Sequence, residues 1–306
     1  MTASSRSRAP IPLDESDFIG QNMRMDIGIA VYSGCEGLTP PELGRAVEER
    51  GFESLFWTEH THIPVHSRRS SGGSPRGYAE TIDPFVALAA VAAVTSTITL
   101  GTAVCLVTQR DPITTAKEVA SLDQLSGGRF QFGVGAGWNR MEMANHGTDP
   151  RIRMALLADR VRAMREIWTA EQAEYHGEFV DFDPIWSWPK PVQKPHPPVL
   201  VGGNGPGSEE RVLAFGDAWL PQADMMDVDE LVRRASALRS RAADVGRGPV
   251  PITLFGAIAE DGRMPESGRL EAYAEAGVNR SLFTLQYRSA KDALSTLDKW
   301  TKFLSL

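Results

Sequence analysis

The chain has 306 residues, 42% of them apolar and 23% charged, enough to bury a large core without covalent staples. Its 32 basic and 39 acidic side chains leave a net charge of −7, which disfavours nucleic acid or a membrane as partner, and no apolar run reaches bilayer length. Two cysteines, Cys35 and Cys105, cannot build a disulfide framework or a cysteine-based zinc site, and they fit a reducing, cytoplasmic setting.

Residues 1–24 turn from basic to acidic with no apolar core of signal-peptide length, and read as a flexible tail before one domain over 25–306. The first strand is 25–31 (MDIGIAV), rich in β-branched residues. Thr39-Pro40-Pro41-Glu42 has the form of a capping box, Leu43, Ala46 and Val47 make an apolar stripe, and Gly51 ends the helix. The second strand, 54–58 (SLFWT), runs into a long loop over 61–82. Asp83-Pro84 opens a helix to about 96, 98–106 is the third strand, and Asp111-Pro112 opens a helix that Gly127-Gly128 ends. The fourth strand is 129–135 (RFQFGVG), followed by Asp149-Pro150 and a helix reaching 168. A hairpin at 174–182 and a proline-rich passage at 184–198 precede strands at 199–201, 218–220, 252–257 and 281–285. Helices follow these at 208–215, 228–243, 266–276 and 290–304.

Eight strand–helix units predict an α/β fold, a (β/α)8 TIM barrel with a helix-hairpin insert between its fourth and fifth strands. A doubly wound open sheet is the alternative. In a barrel the chemistry lies where strands end. The second strand ends in Glu59-His60, a carboxylate and an imidazole suited to proton transfer, or else to capping a loop. His60, His62 and His66 also raise a metal site, for which no further ligands stand at other strand ends, so none is expected. The 61–82 loop carries Arg68, Arg69 and Arg76, and Arg110 and Arg140 follow neighbouring strands. Together they predict a basic mouth or lid, against a plain solvated excursion. The run Gly133-Val134-Gly135-Ala136-Gly137-Trp138 clears side chains for a flat ligand or a close backbone. It is not a dinucleotide fingerprint, because no helix is expected to open on it. Trp138 reads as a ligand wall or as core. Gly202-Gly203-Asn204-Gly205 leads into a helix start, a cradle for phosphate without a Walker lysine.

The ordered set GFESLFWTEH (51–60), LGTAV (100–104), SGGR (126–129), GVGAGW (133–138), KPVQKPHPP (190–198) and GGN (202–204) resembles the bacterial luciferase-like monooxygenase superfamily. More closely, it resembles the branch dependent on coenzyme F420, a 5-deazaflavin. The resemblance implies a homodimeric TIM barrel holding a deazaflavin, or FMN, at the strand ends. His60 matches the histidine beside the ring, and Glu59 stands where relatives often carry aspartate. Ala103 and Val104 match a pair joined by a non-prolyl cis peptide that bulges against the ring, with Cys105 and Leu106 following. Ala136, Gly137 and Trp138 match the ring's other neighbours, and Gly202, Gly203, Asn204 and Gly205 the phosphate-binding turn. Trp138 departs from the sugar-phosphate branch, which sets glucose 6-phosphate aside as substrate. The expected activity is hydride transfer between F420 and a small organic molecule, with His60 and Glu59 as the catalytic pair. The alternatives are an FMN-dependent two-component monooxygenase using oxygen, a non-redox lyase or isomerase, and a flavin-binding protein without turnover.

Overall fold

The computed structural model describes residues 25–32, 37–68, 76–258 and 268–304, so the tail over 1–24 lies outside the described residues, as do Cys35 and Arg69. Strand β1 (Asp26–Val31) is followed by helix α1 (Pro40–Glu49). The Glu42 carboxylate accepts from both the N–H and the hydroxyl of Thr39, which seals the start of α1. Then come β2 (Ser54–Trp57), α2 (Pro84–Ala92), β3 (Thr99–Thr102), β4 (Cys105–Leu106) and α3 (Pro112–Ser126). Asp83 and Asp111 accept from the first amides of α2 and α3, as their Asp-Pro starts predict. Gly127 ends α3 at φ 66°, a conformation that costs glycine little.

Next are β5 (Phe130–Gly135), α4 (Arg140–Asn145), α5 (Arg153–Thr169) and the antiparallel hairpin β6 (Ala173–His176) and β7 (Asp181–Ile185). The chain closes with β8 (Val199–Gly202), α6 (Ser208–Phe215), β9 (Ala218–Leu220), α7 (Val228–Asp244), β10 (Thr253–Ile258), α8 (Arg269–Glu275), β11 (Arg280–Leu285) and α9 (Ala290–Trp300). The order β10-β11-β1-β2-β3-β5-β8-β9 is parallel throughout, and bridges from Trp219 to Ile252 and from Gln222 to Phe255 link β9 back to β10. This is the expected eight-stranded barrel with the helix-hairpin insert in its expected place. No helix among the described residues is long and apolar enough to cross a membrane.

Three sequence expectations are corrected. The strand expected over 98–106 is broken into β3 and β4, with a cis peptide joining Ala103 and Val104 between them. The third Asp-Pro start does not cap a helix, because Asp149 is taken by the N–H and guanidinium of Arg151 and α5 begins at Arg153. A helix does open after the glycine run: the Asn139 side chain accepts from Met141 and Glu142 and starts α4.

Strand alternation sorts the core into two layers. Trp57, Trp168 and Trp219 belong to the larger layer, between strands and helices. Ala30, Phe56, Leu200, Leu220, Phe255 and Leu282 pack together inside the barrel. Below them the interior turns polar. Arg280 donates to Glu53 through Nε and Nη2 (2.6 and 2.7 Å) and to Gln131 (2.8 Å). Burial pushes the Glu53 carboxyl up, but the fork of Arg280 and the Thr99 hydroxyl outweigh it and hold it below the ordinary carboxylate range. A lowered folded-state pKa adds stability above the ordinary glutamate range and loses it as pH falls through the folded value. Glu53→Gln is therefore expected to cost about 1–3 kcal/mol at neutral pH and less at acid pH, the gap closing as pH falls through the lowered folded-state value. Urea midpoints of both proteins at neutral and at acid pH check this.

Candidate active site

The C-terminal ends of the barrel strands gather the residues singled out in the sequence. After β2 the chain is tied down by the Thr58 hydroxyl, which donates to the Val31 carbonyl. Glu59 and His60 then part company. Glu59 is 4% exposed and accepts from the Leu106 N–H (2.5 Å) and from Arg110 Nε (2.6 Å). His60 turns to the mouth, where its Nδ1 lies 2.8 Å from Oε2 of Glu142. The carboxylate on His60 is thus Glu142, and the expected Glu59–His60 pair is corrected: Arg110 and the Leu106 amide hold Glu59 elsewhere.

Glu142 is wholly buried on α4, and its second oxygen accepts from the Thr61 N–H (3.1 Å). A carboxylate accepts only, so Nδ1 of His60 carries the proton of this contact. On the other side Trp138 Nε1–H donates to His60 Nε2 at 3.1 Å. An indole nitrogen only donates, so Nε2 presents its lone pair there. Trp138 is 45% exposed, which sets aside the reading as core. The described part of the 61–82 loop closes over this group. Its turn at Arg76–Glu80 stacks Tyr78 on His60, with ring centres 5.3 Å apart and planes 22° apart, and Tyr78 also meets Tyr32.

Arg110 is not part of a basic mouth. It is enclosed by Glu59, Glu118 and Asp83 and lies over the Phe85 ring. Burial works against its charge, but Glu59 and the neighbouring acids prevail and hold its pKa above the ordinary arginine value. Arg68, Arg76 and Arg140 are exposed. Cys105 is fully buried behind this cluster, and burial together with the Glu59 charge pushes its thiol pKa well up. Leu106 is buried beside it. His62 and His146 both meet the Thr61 hydroxyl (3.0 and 2.7 Å), His66 is exposed, and among the described residues no His, Cys, Asp and Glu cluster is placed to hold a metal.

The glycine run serves the protein's own backbone. A Cβ on Gly133 would sit 1.8 Å from the Thr102 carbonyl oxygen, and one on Gly135 would sit 2.4 Å from Val104. Gly202 gives way to Val104 from the other side, at 2.8 Å. The glycines thus seat the Ala103-Val104 bulge at the mouth, while Ala136 and Gly137 lead from β5 to Trp138. Beyond β8, the side chain of Asn204 is spent on the backbone of Gln222 (2.7 and 2.8 Å), which locks this turn to the end of β9. Gly203 stands at φ 119°, and no protein group among the described residues accepts from the N–H of Gly205 or Gly207. Beside them Arg211 Nε is buried without a partner.

Residues 40–264 match the luciferase-like monooxygenase family. The chain belongs to that family. An uncharacterized protein of Mycobacterium tuberculosis is 41% identical over 282 residues, 90% of this chain and 97% of the relative. The F420-dependent hydroxymycolic acid dehydrogenase of the same organism is 26% identical over 77% of this chain and 63% of its own length. The FMNH(2)-dependent dimethylsulfone monooxygenase of Pseudomonas putida is 29% identical over 44% and 38%. Among solved structures, an F420-dependent secondary alcohol dehydrogenase in complex with an F420-acetone adduct superposes with a TM-score of 0.73 at 17% identity, covering 92% of this chain and 99% of the other. The monooxygenase RslO1 from Streptomyces bottropensis gives 0.71 at 21% identity over the same shares. These luciferase-like barrels share the fold described above; two of the proteins named are F420-dependent and one is FMNH(2)-dependent.

Proposed function

We propose that this luciferase-like protein is an F420-dependent oxidoreductase that moves a hydride between the deazaflavin and a small organic substrate, with His60 handling the proton. The observation that carries the reading is the His60–Glu142 pair at the barrel mouth, an imidazole with one nitrogen anchored on a buried carboxylate and the other turned to the site. The residues fit such a cofactor. The unpaired Arg211 Nε and the uncommitted amides of Gly205 and Gly207 suit a phosphate, and Gly202, Gly203 and Asn204 shape that turn. Ala103 and Val104 would wall one side of the mouth, with Cys105 and Leu106 buried behind them, and Ala136, Gly137 and Trp138 would continue that wall.

When bound, the deazaflavin supplies a hydride donor or acceptor. The chain does the rest. Glu142 fixes the ring of His60 through Nδ1 and stabilises the imidazolium formed when Nε2 takes up a proton. Glu59 and Arg110 brace the Leu106 backbone from behind. Tyr78 and its loop keep water from the imidazole face. Arg68 and Arg140 are exposed, and an acidic cofactor tail would pair with them. FMN with oxygen is the second reading, favoured by the likeness to the FMNH(2)-dependent relative.

Titrating the purified protein with F420 and with FMN, followed by ligand fluorescence, tests the choice. Tight binding of F420 that weakens with salt is expected. Binding of FMN alone would move the protein to the second reading, and binding of neither would remove both.

A further inference from the structure

We infer that Trp138 is a latch on His60, occupying the position that a hydrogen-bond donor of the ligand takes during the reaction. As the site stands, the imidazole has no free polar atom. Nδ1 is held by Glu142, Nε2 is capped by the Trp138 indole N–H, and Tyr78 lies over a face of the ring. Nothing can exchange a proton with Nε2 until the indole leaves.

The indole is built to leave. It is 45% exposed, whereas its partner's side chain is 7% exposed, and its ring contacts are edge-on to His60 and Tyr78. It follows Gly137, which stands at φ 79° and where an added Cβ would come no closer than 3.5 Å to a neighbour. His60 has no such freedom, because Glu142 and Tyr78 fix its ring. An Nε2 that accepts from the indole carries no proton. The group replacing the indole must therefore donate as well, and the ligand presents a hydroxyl or an N–H rather than a bare carbonyl. This rests on the reading of His60 as the working group of the site, but its test needs no cofactor.

The direct readout is the reactivity of Nε2. In the full-length protein, diethyl pyrocarbonate should modify His60 slowly, and Trp138→Phe should speed that modification several-fold by peptide mass mapping. The rates at His62 and His146, which lie outside the contact, should be unchanged. Continued protection of His196, buried at 5% exposure, reports that the variant is folded. In imidazole nitrogen spectra, Nε2 of His60 should appear unprotonated in the wild type and shift in Trp138→Phe. Propan-2-ol should draw it back towards the wild-type position, and acetone should not. An unchanged rate of modification at His60 overturns the latch. An Nε2 signal that does not move in the variant overturns it independently, and acetone acting as well as the alcohol overturns the donor requirement. Failure of F420 and FMN to support turnover would instead remove the proposed function and leave these results standing.

Discussion

Replacing His60 by alanine is expected to lower turnover by roughly 10²–10⁴-fold at saturating cofactor, the usual range for loss of a proton-transfer group. The expectation follows from position and pairing: His60 stands at the end of β2 with Nδ1 on a buried carboxylate and Nε2 at the mouth. Glu142→Gln keeps a single acceptor oxygen, enough for Nδ1 or for the Thr61 amide but not for both, and removes the charge that stabilises the imidazolium. Its loss should be of the same kind and smaller, with the pH profile of kcat/KM displaced. Single-turnover oxidation of reduced cofactor, with a substrate found by screening, separates chemistry from binding. If His60 only anchors the ring, affinity falls while the saturated rate holds. A His60→Ala protein with normal affinity and normal rate would take the residue out of the site.

Much of this site was legible in the sequence because strand ends are local. The run of apolar residues to Trp57 places His60 at the mouth, and Gly202 to Gly205 stand just after β8 for the same reason. Glu142 was hidden because its partner lies 82 residues away. A signal did exist: Asn139-Arg140-Met141-Glu142 has the spacing of an N-cap followed three residues later by glutamate, which opens a helix. Asp149-Pro150 looked the same as two true caps and failed because Arg151, two residues on, captures the carboxylate. The glycines of β5 were rightly read as room, but whose room they make depends on the neighbouring strand. The Thr102 carbonyl and Val104 fill it. Arg110 looked like a surface cation because the acids that enclose it come from the end of β2, the cap of α2 and the body of α3.

That enclosure carries the largest expected effect on stability. Arg110→Met should cost about 3–5 kcal/mol, the range for breaking a buried ion pair from one side. Asp83 and Glu118 have side chains 41% and 33% exposed and regain water when the guanidinium goes. Glu59 cannot, because its side chain is 2% exposed and keeps only the Leu106 amide among its strong partners. The cost therefore falls on one carboxylate, and removing its charge should recover much of the loss. Glu59→Gln combined with Arg110→Met should be more stable than Arg110→Met alone, which a double-mutant cycle on urea midpoints resolves. A single-mutant cost below about 1 kcal/mol would mean that Glu59 reaches solvent after all. Glu59→Gln alone, set against His60→Ala, separates the two neighbours after β2. Glu59→Gln should lower stability and leave the turnover of the folded protein near that of the wild type, because Glu59 acts on the Leu106 backbone. A turnover loss for Glu59→Gln as large as that for His60→Ala, in protein that remains folded, would return Glu59 to the reacting group.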